Sequence, residues 1–173
     1  MRKSSAPTPA ARPQEAFSTR IPGSLLNAFN TNNRINQYLI DNVPAEAWKA
    51  KPPGGKGRTI PAIVAHMHNV RVMWLKVSAK DGTIPEQLDR AKVTPTQALR
   101  AMEQSRQALS VLISRALESD GRIKNFRPDV AGFLAYLIAH DAHHRGQIAM
   151  LARQLGHPLA QKVTFGMWEW GVR

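Results

Sequence analysis

The chain has 173 residues, of which 43% are hydrophobic, and carries a formal net charge of +12 at pH 7. This length and apolar content suffice for one hydrophobic core, so we expect a single folded domain. The absence of cysteine excludes disulfides, thiolate metal ligands and a cysteine nucleophile. No stretch approaches the roughly 18 apolar residues of a membrane span, and the N-terminus lacks the apolar segment of a secretory signal. We therefore expect a cytoplasmic protein with no membrane partner.

The positive charge is spread almost evenly along the chain. There is no block of lysine and arginine, no zinc-finger spacing and no RNA-recognition signature. A generally basic surface is typical of solubility and of weak, salt-sensitive attraction to polyanions. We do not expect specific nucleic-acid binding.

The two ends of the chain differ from its middle. Residues 1–20 are basic and rich in proline and small polar side chains, which predicts a disordered tail because little apolar surface can be buried there. Residues 21–173 form the predicted domain. Its C-terminal segment holds Phe165, Trp168 and Trp170, an aromatic cluster typical of packing over the end of a bundle or at a subunit interface.

Four amphipathic helices are predicted from apolar side chains that recur with a helical period. Capping and helix-breaking residues give their limits. The helices run from Ser24, as N-cap, to before Pro44; from the Thr59 cap to Asp81–Gly82; from Thr94–Pro95 to about Ser119; and from Pro128 to Gly156. No strand pattern interrupts them, so the predicted fold is all-α, a four-helix bundle whose topology is left open by the long connection between the second and third helices.

The loop KPPGGKGRT, residues 51–59, contains glycine and lysine but is not a phosphate-binding loop. It lacks the GxxxxGK[ST] spacing and no strand precedes it. We interpret it as a connection that borders the functional site. Asn32 and Asn33 mark the part of the first helix where helix propensity is poorest.

The fourth helix places two histidines on or beside its apolar face. At about 100° per residue, His140 lies about 40° from His144, whereas His143 is about 100° away. Two buried imidazoles in adjacent turns require partners for their ring nitrogens. A shared divalent cation would satisfy both, although an HxxxH spacing also occurs with ordinary hydrogen-bonded core histidines.

The second helix offers a third histidine. Its apolar stripe of Ile63, Met67, Val70, Trp74 and Val77 is centred on Val70. By the same angles His66 lies about 40° from the centre of the stripe and faces inward, while His68 lies about 160° away and faces outward. We keep His68 and His143 outside the ligand set. In a bundle, His66, His140 and His144 could meet at one divalent metal and leave a position open, which is typical of a catalytic site; the alternative for His66 is a hydrogen-bonded core residue.

The segments TIPAIVAHMHNVRVMWLK, HDAHHRGQIAMLARQLG and GMWEWG resemble the DinB family, within the DinB/YfiT-like metalloprotein superfamily. The resemblance spans about Ile21 to Gly171. It implies a four-helix bundle, often a homodimer, with zinc or nickel held by His66, His140 and His144.

The resemblance also suggests a metal-dependent transferase or hydrolase that activates a thiol or water for a small-molecule or thiol substrate. Asp141 and Gln147 could orient a ligand imidazole or the bound water, or be solvated or capping residues. Arg145 could pair with an anionic substrate or form a surface salt bridge. The competing hypothesis is a non-catalytic interaction or stress-response protein whose bundle is stabilised by the metal.

Overall fold

The computed structural model describes residues 21–79 and 82–173, so the predicted disordered tail and Asp81 lie outside the described residues. The described part is helical and contains no strand, which confirms the all-α fold class. None of its helices is long and apolar enough to cross a membrane. Its α-helices are α1 (Ile21–Asp41), α2 (Ala45–Lys49), α3 (Ile60–Ser78), α4 (Pro95–Leu117), α5 (Val130–Gln154) and α6 (Gln161–Gly166).

Three of the predicted helix limits, at Thr59, Thr94 and Gly156, agree with local capping chemistry. Thr59 and Thr94 are the N-caps of α3 and α4, and their side chains accept hydrogen bonds from the backbone N–H groups of Ala62 and Gln97. Gly156 follows α5 with φ of 79°, a left-handed conformation that ends a helix at little steric cost when the residue is glycine. Ser24 lies inside α1, so its predicted N-cap role is wrong.

The four long helices form the bundle, with α1 and α3 each packed against both α4 and α5. Two hydrophobic clusters show their directions. The first cluster joins the end of α1, the start of α3, the start of α4 and the end of α5. The second joins the start of α1 and α5 to the ends of α3 and α4. Helices α3 and α4 therefore run parallel to each other and antiparallel to α1 and α5, which resolves the topology that the long connection left open.

A layer of buried polar side chains lies between the two hydrophobic clusters, and all four long helices contribute to it. We call this set the polar layer: Asn32, Asn33, Asn36, Arg71, Ser105, Asp141 and Arg145. The α1 members were not predicted, because Asn32 and Asn33 were interpreted only as residues of poor helix propensity. The signal in the sequence is the occurrence of three asparagines at positions 32, 33 and 36, which share one side of a helix.

Asp141 and Arg71 form the centre of the polar layer. One oxygen of Asp141, Oδ2, accepts hydrogen bonds from Arg71 at 2.7 Å, Asn32 at 2.7 Å and Asn36 at 2.8 Å. Both charged side chains are 1% exposed. Burial alone would raise the pKa of Asp141, but the Arg71 guanidinium and the surrounding hydrogen bonds hold it well below its usual range. The carboxylate is therefore ionised and balanced inside the bundle.

His68 does not face outward, contrary to the angular prediction. It is fully buried, and its Nε2 lies 2.8 Å from the backbone oxygen of Glu86. The connection between α3 and α4 covers this side of α3, where Asn69 also exchanges hydrogen bonds with the backbone of Leu88. The buried residues Arg71, Leu75 and Ser78 show that the inward face of α3 is centred near Arg71 and not on Val70, so Val77, placed in the predicted stripe, is 43% exposed.

The C-terminal aromatic cluster is largely exposed, with Phe165 at 62%, Trp168 at 78% and Trp170 at 38%. It is therefore not buried over the bundle end. An interface role, and the homodimer that the resemblance implies, stay predictions.

We predict that Asp141→Asn lowers the free energy of unfolding of metal-free protein by about 3 kcal/mol or more, because it leaves the buried Arg71 charge without a counter-charge. Urea unfolding in the presence of a chelator measures the change. The matched control is Glu103→Gln, which removes the partly exposed ion pair with Arg106 and should cost less than about 1 kcal/mol. Equal losses in the two variants would contradict a central role for the buried pair.

Candidate metal centre

Three histidines from two helices meet on one side of the bundle. His66 lies on α3, and His140 and His144 lie one turn apart on α5. One ligand nitrogen from each falls within 4.8 Å of the other two. The ring centroids are 4.5 Å apart for His140 and His144, 4.8 Å for His66 and His144, and 5.3 Å for His66 and His140. The structure thus brings together the three residues that the sequence singled out.

Gln147 orients His144. Its Oε1 lies 2.7 Å from Nδ1 of His144, and its Nε2 donates to Nε2 of His143 at 3.0 Å. Because the amide oxygen can only accept, the network assigns the proton of His144 to Nδ1. Nε2 of His144 is then left with a lone pair that is directed toward His140. Gln147 therefore has the orienting position that was one of its two predicted roles, and His143 lies outside the cluster as an exposed neighbour.

His140 lies between the polar layer and the histidine cluster. Its Nδ1 is 3.8 Å from Oδ1 of Asp141, and its Nε2 is 3.2 Å from Nε2 of His144. Asp141 is thus neither solvated nor a capping residue. One carboxylate both balances Arg71 and faces the outer nitrogen of His140, an arrangement that commonly orients a metal-binding histidine.

His66 has a buried nitrogen without a partner. Its Nδ1 makes no hydrogen bond within the described part of the chain. Burial lowers the pKa of His66 to about 4, and the charges of Arg58 and Arg90 and the two neighbouring histidines add to this effect. Burial likewise lowers the pKa of His144, against the opposing effect of Gln147. Both side chains are therefore neutral near pH 7, the form in which imidazole binds metals.

These features fit a divalent cation. Two nitrogens bound at about 2.0–2.1 Å to one tetrahedral ion are about 3.3 Å apart, close to the 3.2 Å between His140 and His144. Imidazole ligands suit zinc, nickel, copper and iron. A bound cation would also give His66, whose Nδ1 has no hydrogen-bond partner within the described residues, an interaction inside the cluster. The three histidines could therefore hold one metal ion.

Two arginine side chains act electrostatically on this cluster. Arg58, at the end of the loop 51–59, acts electrostatically on both His66 and His144, and Arg90 acts on His66. Arg58 and Gln147 also line a shallow cavity of about 290 Å³ together with Ile63 and Met150. The loop thus borders the histidine cluster as the sequence predicted.

Arg145 has neither of its predicted roles. Its Nη1 donates to the amide oxygens of Asn32 and Asn36, at 2.8 and 2.5 Å. These bonds place the guanidinium in the polar layer, where burial lowers the pKa of Arg145 and the charge of Asp141 opposes this effect. Arg145 therefore joins α5 to α1 through the amide oxygens of Asn32 and Asn36.

A family model for the DinB family matches residues 14–168. The chain therefore belongs to the DinB family, and the resemblance drawn from its histidine segments is confirmed. Searches of curated proteins and of solved structures gave no significant match. Family membership and the three-histidine cluster together identify the class as DinB-like proteins with a candidate metal centre.

We predict that Gln147→Leu weakens the binding of Zn²⁺ or Ni²⁺ by roughly 10–100-fold, because His144 loses the acceptor that fixes its Nδ1 proton. Competition with a chromophoric chelator measures the affinity. Gln154→Leu is the matched control, since it makes the same change at an exposed position of α5. An affinity equal to that of the control would show that Gln147 does not orient the ligand.

Proposed function

We propose that the protein is a metal-dependent enzyme of the transferase or hydrolase type, which uses zinc or nickel on His66, His140 and His144 to activate a thiol or water. The observation that supports it most is the cluster itself, in which three imidazoles from two helices converge. A divalent ion supplies Lewis acidity, which lowers the pKa of a bound thiol or water toward neutrality. Because a tetrahedral or larger coordination shell needs more than three ligands, a position remains for that group.

The protein groups around the cluster have distinct roles in this proposal. Gln147 holds His144 with the lone pair of Nε2 directed toward His140, and Asp141 faces Nδ1 of His140. Oδ2 of Asp141 accepts from Arg71, Asn32 and Asn36, so this oxygen does not compete for the open position. In this proposal the protein orients the imidazoles, and the bound thiol or water is the nucleophile.

Arg58 and Arg90 favour a substrate with an anionic group. Both are exposed, and neither has a hydrogen-bond or ion-pair partner within the described ranges 21–79 and 82–173. Their charge adds to that of a cation held by three neutral ligands. A carboxylate or thiolate would be attracted by both, and a cationic substrate would be repelled.

The alternative is a non-catalytic protein in which the metal ties α3 to α5. The location of the ligands on two different helices supports it, because binding to the folded state alone appears as stability. In that case the metal should contribute a large share of the free energy of unfolding. For the enzyme we expect the buried polar layer and the two hydrophobic clusters to keep the bundle folded after chelation.

The proposed metal centre makes a prediction about metal content. Untagged protein should contain about one divalent metal ion per chain, and His66→Ala, His140→Ala and His144→Ala should each lose it, because each removes one of three ligands. Elemental analysis measures the content, and circular dichroism confirms that each variant is folded. The control is His143→Ala, which removes an exposed neighbouring imidazole and should retain the metal. A wild-type protein that neither contains nor takes up metal would refute the proposal.

A further prediction concerns the role of Arg58 in attracting anions. In Co²⁺-loaded protein, acetate should perturb the visible spectrum at a concentration roughly 3–10-fold lower than in Arg58→Gln, because the variant removes one nearby positive charge. Neutral imidazole is the matched probe and should bind both proteins equally. Arg153→Gln makes the same change in net charge on an exposed part of α5. Equal acetate affinity in the wild type and Arg58→Gln would exclude a role for Arg58 in attracting anions.

A further inference from the structure

A second cavity lies away from the histidines, between the ends of α3 and α4 and the connection that joins these helices. Its volume is about 590 Å³, within the range of small-molecule sites. We call it the α3–α4 groove and define it by Leu75, Ile84, Val111, Leu112, Arg115 and Lys124. His66 precedes Leu75 by nine residues, which is about 13 Å along the helix axis. The groove is thus separate from the candidate metal centre.

The inner surface of the groove is apolar and partly open to solvent. Leu75 is 2% exposed and belongs to the second hydrophobic cluster, so the floor of the groove is continuous with the core. Val111 is 53% exposed and Ile84 is 37% exposed. Exposed apolar side chains that flank a concave apolar surface are typical of a ligand site.

Two cationic side chains are among the described residues that line the groove. Arg115 and Lys124 line it, and no aspartate or glutamate is among its described lining residues. Neither cation has a side-chain hydrogen bond or ion pair within the part of the chain that the structure describes. One end of the groove is held by a hydrogen bond of 2.7 Å from Ser78 Oγ to the backbone oxygen of Lys124. This bond fixes the backbone of Lys124 beside α3 and leaves its ammonium group free.

We propose that the α3–α4 groove binds an amphipathic carboxylate, with an acyl chain against Leu75, Val111 and Leu112 and the carboxylate beside Arg115 and Lys124. The apolar floor provides the driving force through the area that the chain removes from water. The two unpaired cations select the charge of the head group, since a cationic amphiphile of equal chain length would be repelled. Gln104, which also lines the groove, adds an amide group at its border.

The test is isothermal titration calorimetry of the full chain in the presence of a chelator, with decanoate as the probe. We expect one decanoate per chain. Acetate carries the charge without the chain, and decyltrimethylammonium carries the chain with the opposite charge; both should bind at least tenfold more weakly. Comparable binding of decyltrimethylammonium would overturn the proposal, because the groove would then select only for apolarity.

Variants locate the binding. The double variant Arg115→Gln/Lys124→Gln should weaken decanoate binding by tenfold or more, through the loss of two charge-assisted contacts. Arg100→Gln/Arg153→Gln lowers the net charge equally at two exposed positions outside the groove, and should change the affinity less than twofold. Val111→Asp should abolish binding, whereas Met150→Asp, at a similarly exposed residue, should not.

Two outcomes would refute the site. Equal affinities in the two double variants would show that decanoate responds only to net charge. Loss of decanoate binding in His66→Ala would place the ligand at the histidine cluster. For every variant, a normal circular dichroism spectrum and a normal urea midpoint exclude misfolding as the cause of lost binding.

Discussion

The buried ion pair between Arg71 and Asp141 is the interaction on which the rest of this structure depends. It joins α3 to α5 at the level where the hydrophobic core is interrupted. Transferring two charges out of water is costly, and this cost is offset only if the partners meet in one arrangement with their hydrogen bonds complete. Asn32 and Asn36 donate to Asp141, and Asn33 accepts from Arg71, whereas Nε of Arg71 has no partner within the described ranges. A shift of either helix by one residue would leave a charge buried alone, so the pair fixes the register of α3 against α5.

That register also assembles the histidine cluster. His140 immediately precedes Asp141, and His66 precedes Arg71 by five residues on the facing helix. Fixing Arg71 against Asp141 therefore brings His66 opposite His140 and His144, where the ring centroids are 4.5–5.3 Å apart. The polar layer positions the imidazoles, and the hydrophobic clusters on either side hold the four helices in place. On α5, each histidine of the cluster is therefore followed by a residue of the polar layer: Asp141 follows His140, and Arg145 follows His144.

Much of the fold and of the cluster was predictable because the responsible signals are local. Helix period and capping residues located the four long helices, and the stripe of α5 correctly placed His144 inside. The angular argument failed for His68, because it assumes one buried face per helix and the α3–α4 connection buries a second one. It also gave no account of Asn32, Asn33 and Arg145. Their burial depends on partners that are up to 113 residues away, and no local period records such pairs.

The electrostatics of the two concave regions differ in origin. At the histidine cluster the only buried carboxylate, among the described residues, is balanced by Arg71, so a metal ion there would keep its charge and add it to that of Arg58 and Arg90. At the α3–α4 groove the described charged lining residues are Arg115 and Lys124, next to an apolar surface, and the proposed attraction for a carboxylate rests on these two side chains. We infer that one metal ion lies among His66, His140 and His144. Anomalous diffraction from crystals of zinc- or nickel-loaded protein locates the ion. We expect one strong peak within bonding distance of a nitrogen of each of the three histidines. A strong peak at His143 or His157, or no peak at the three histidines of protein that contains one metal ion per chain, would contradict this placement.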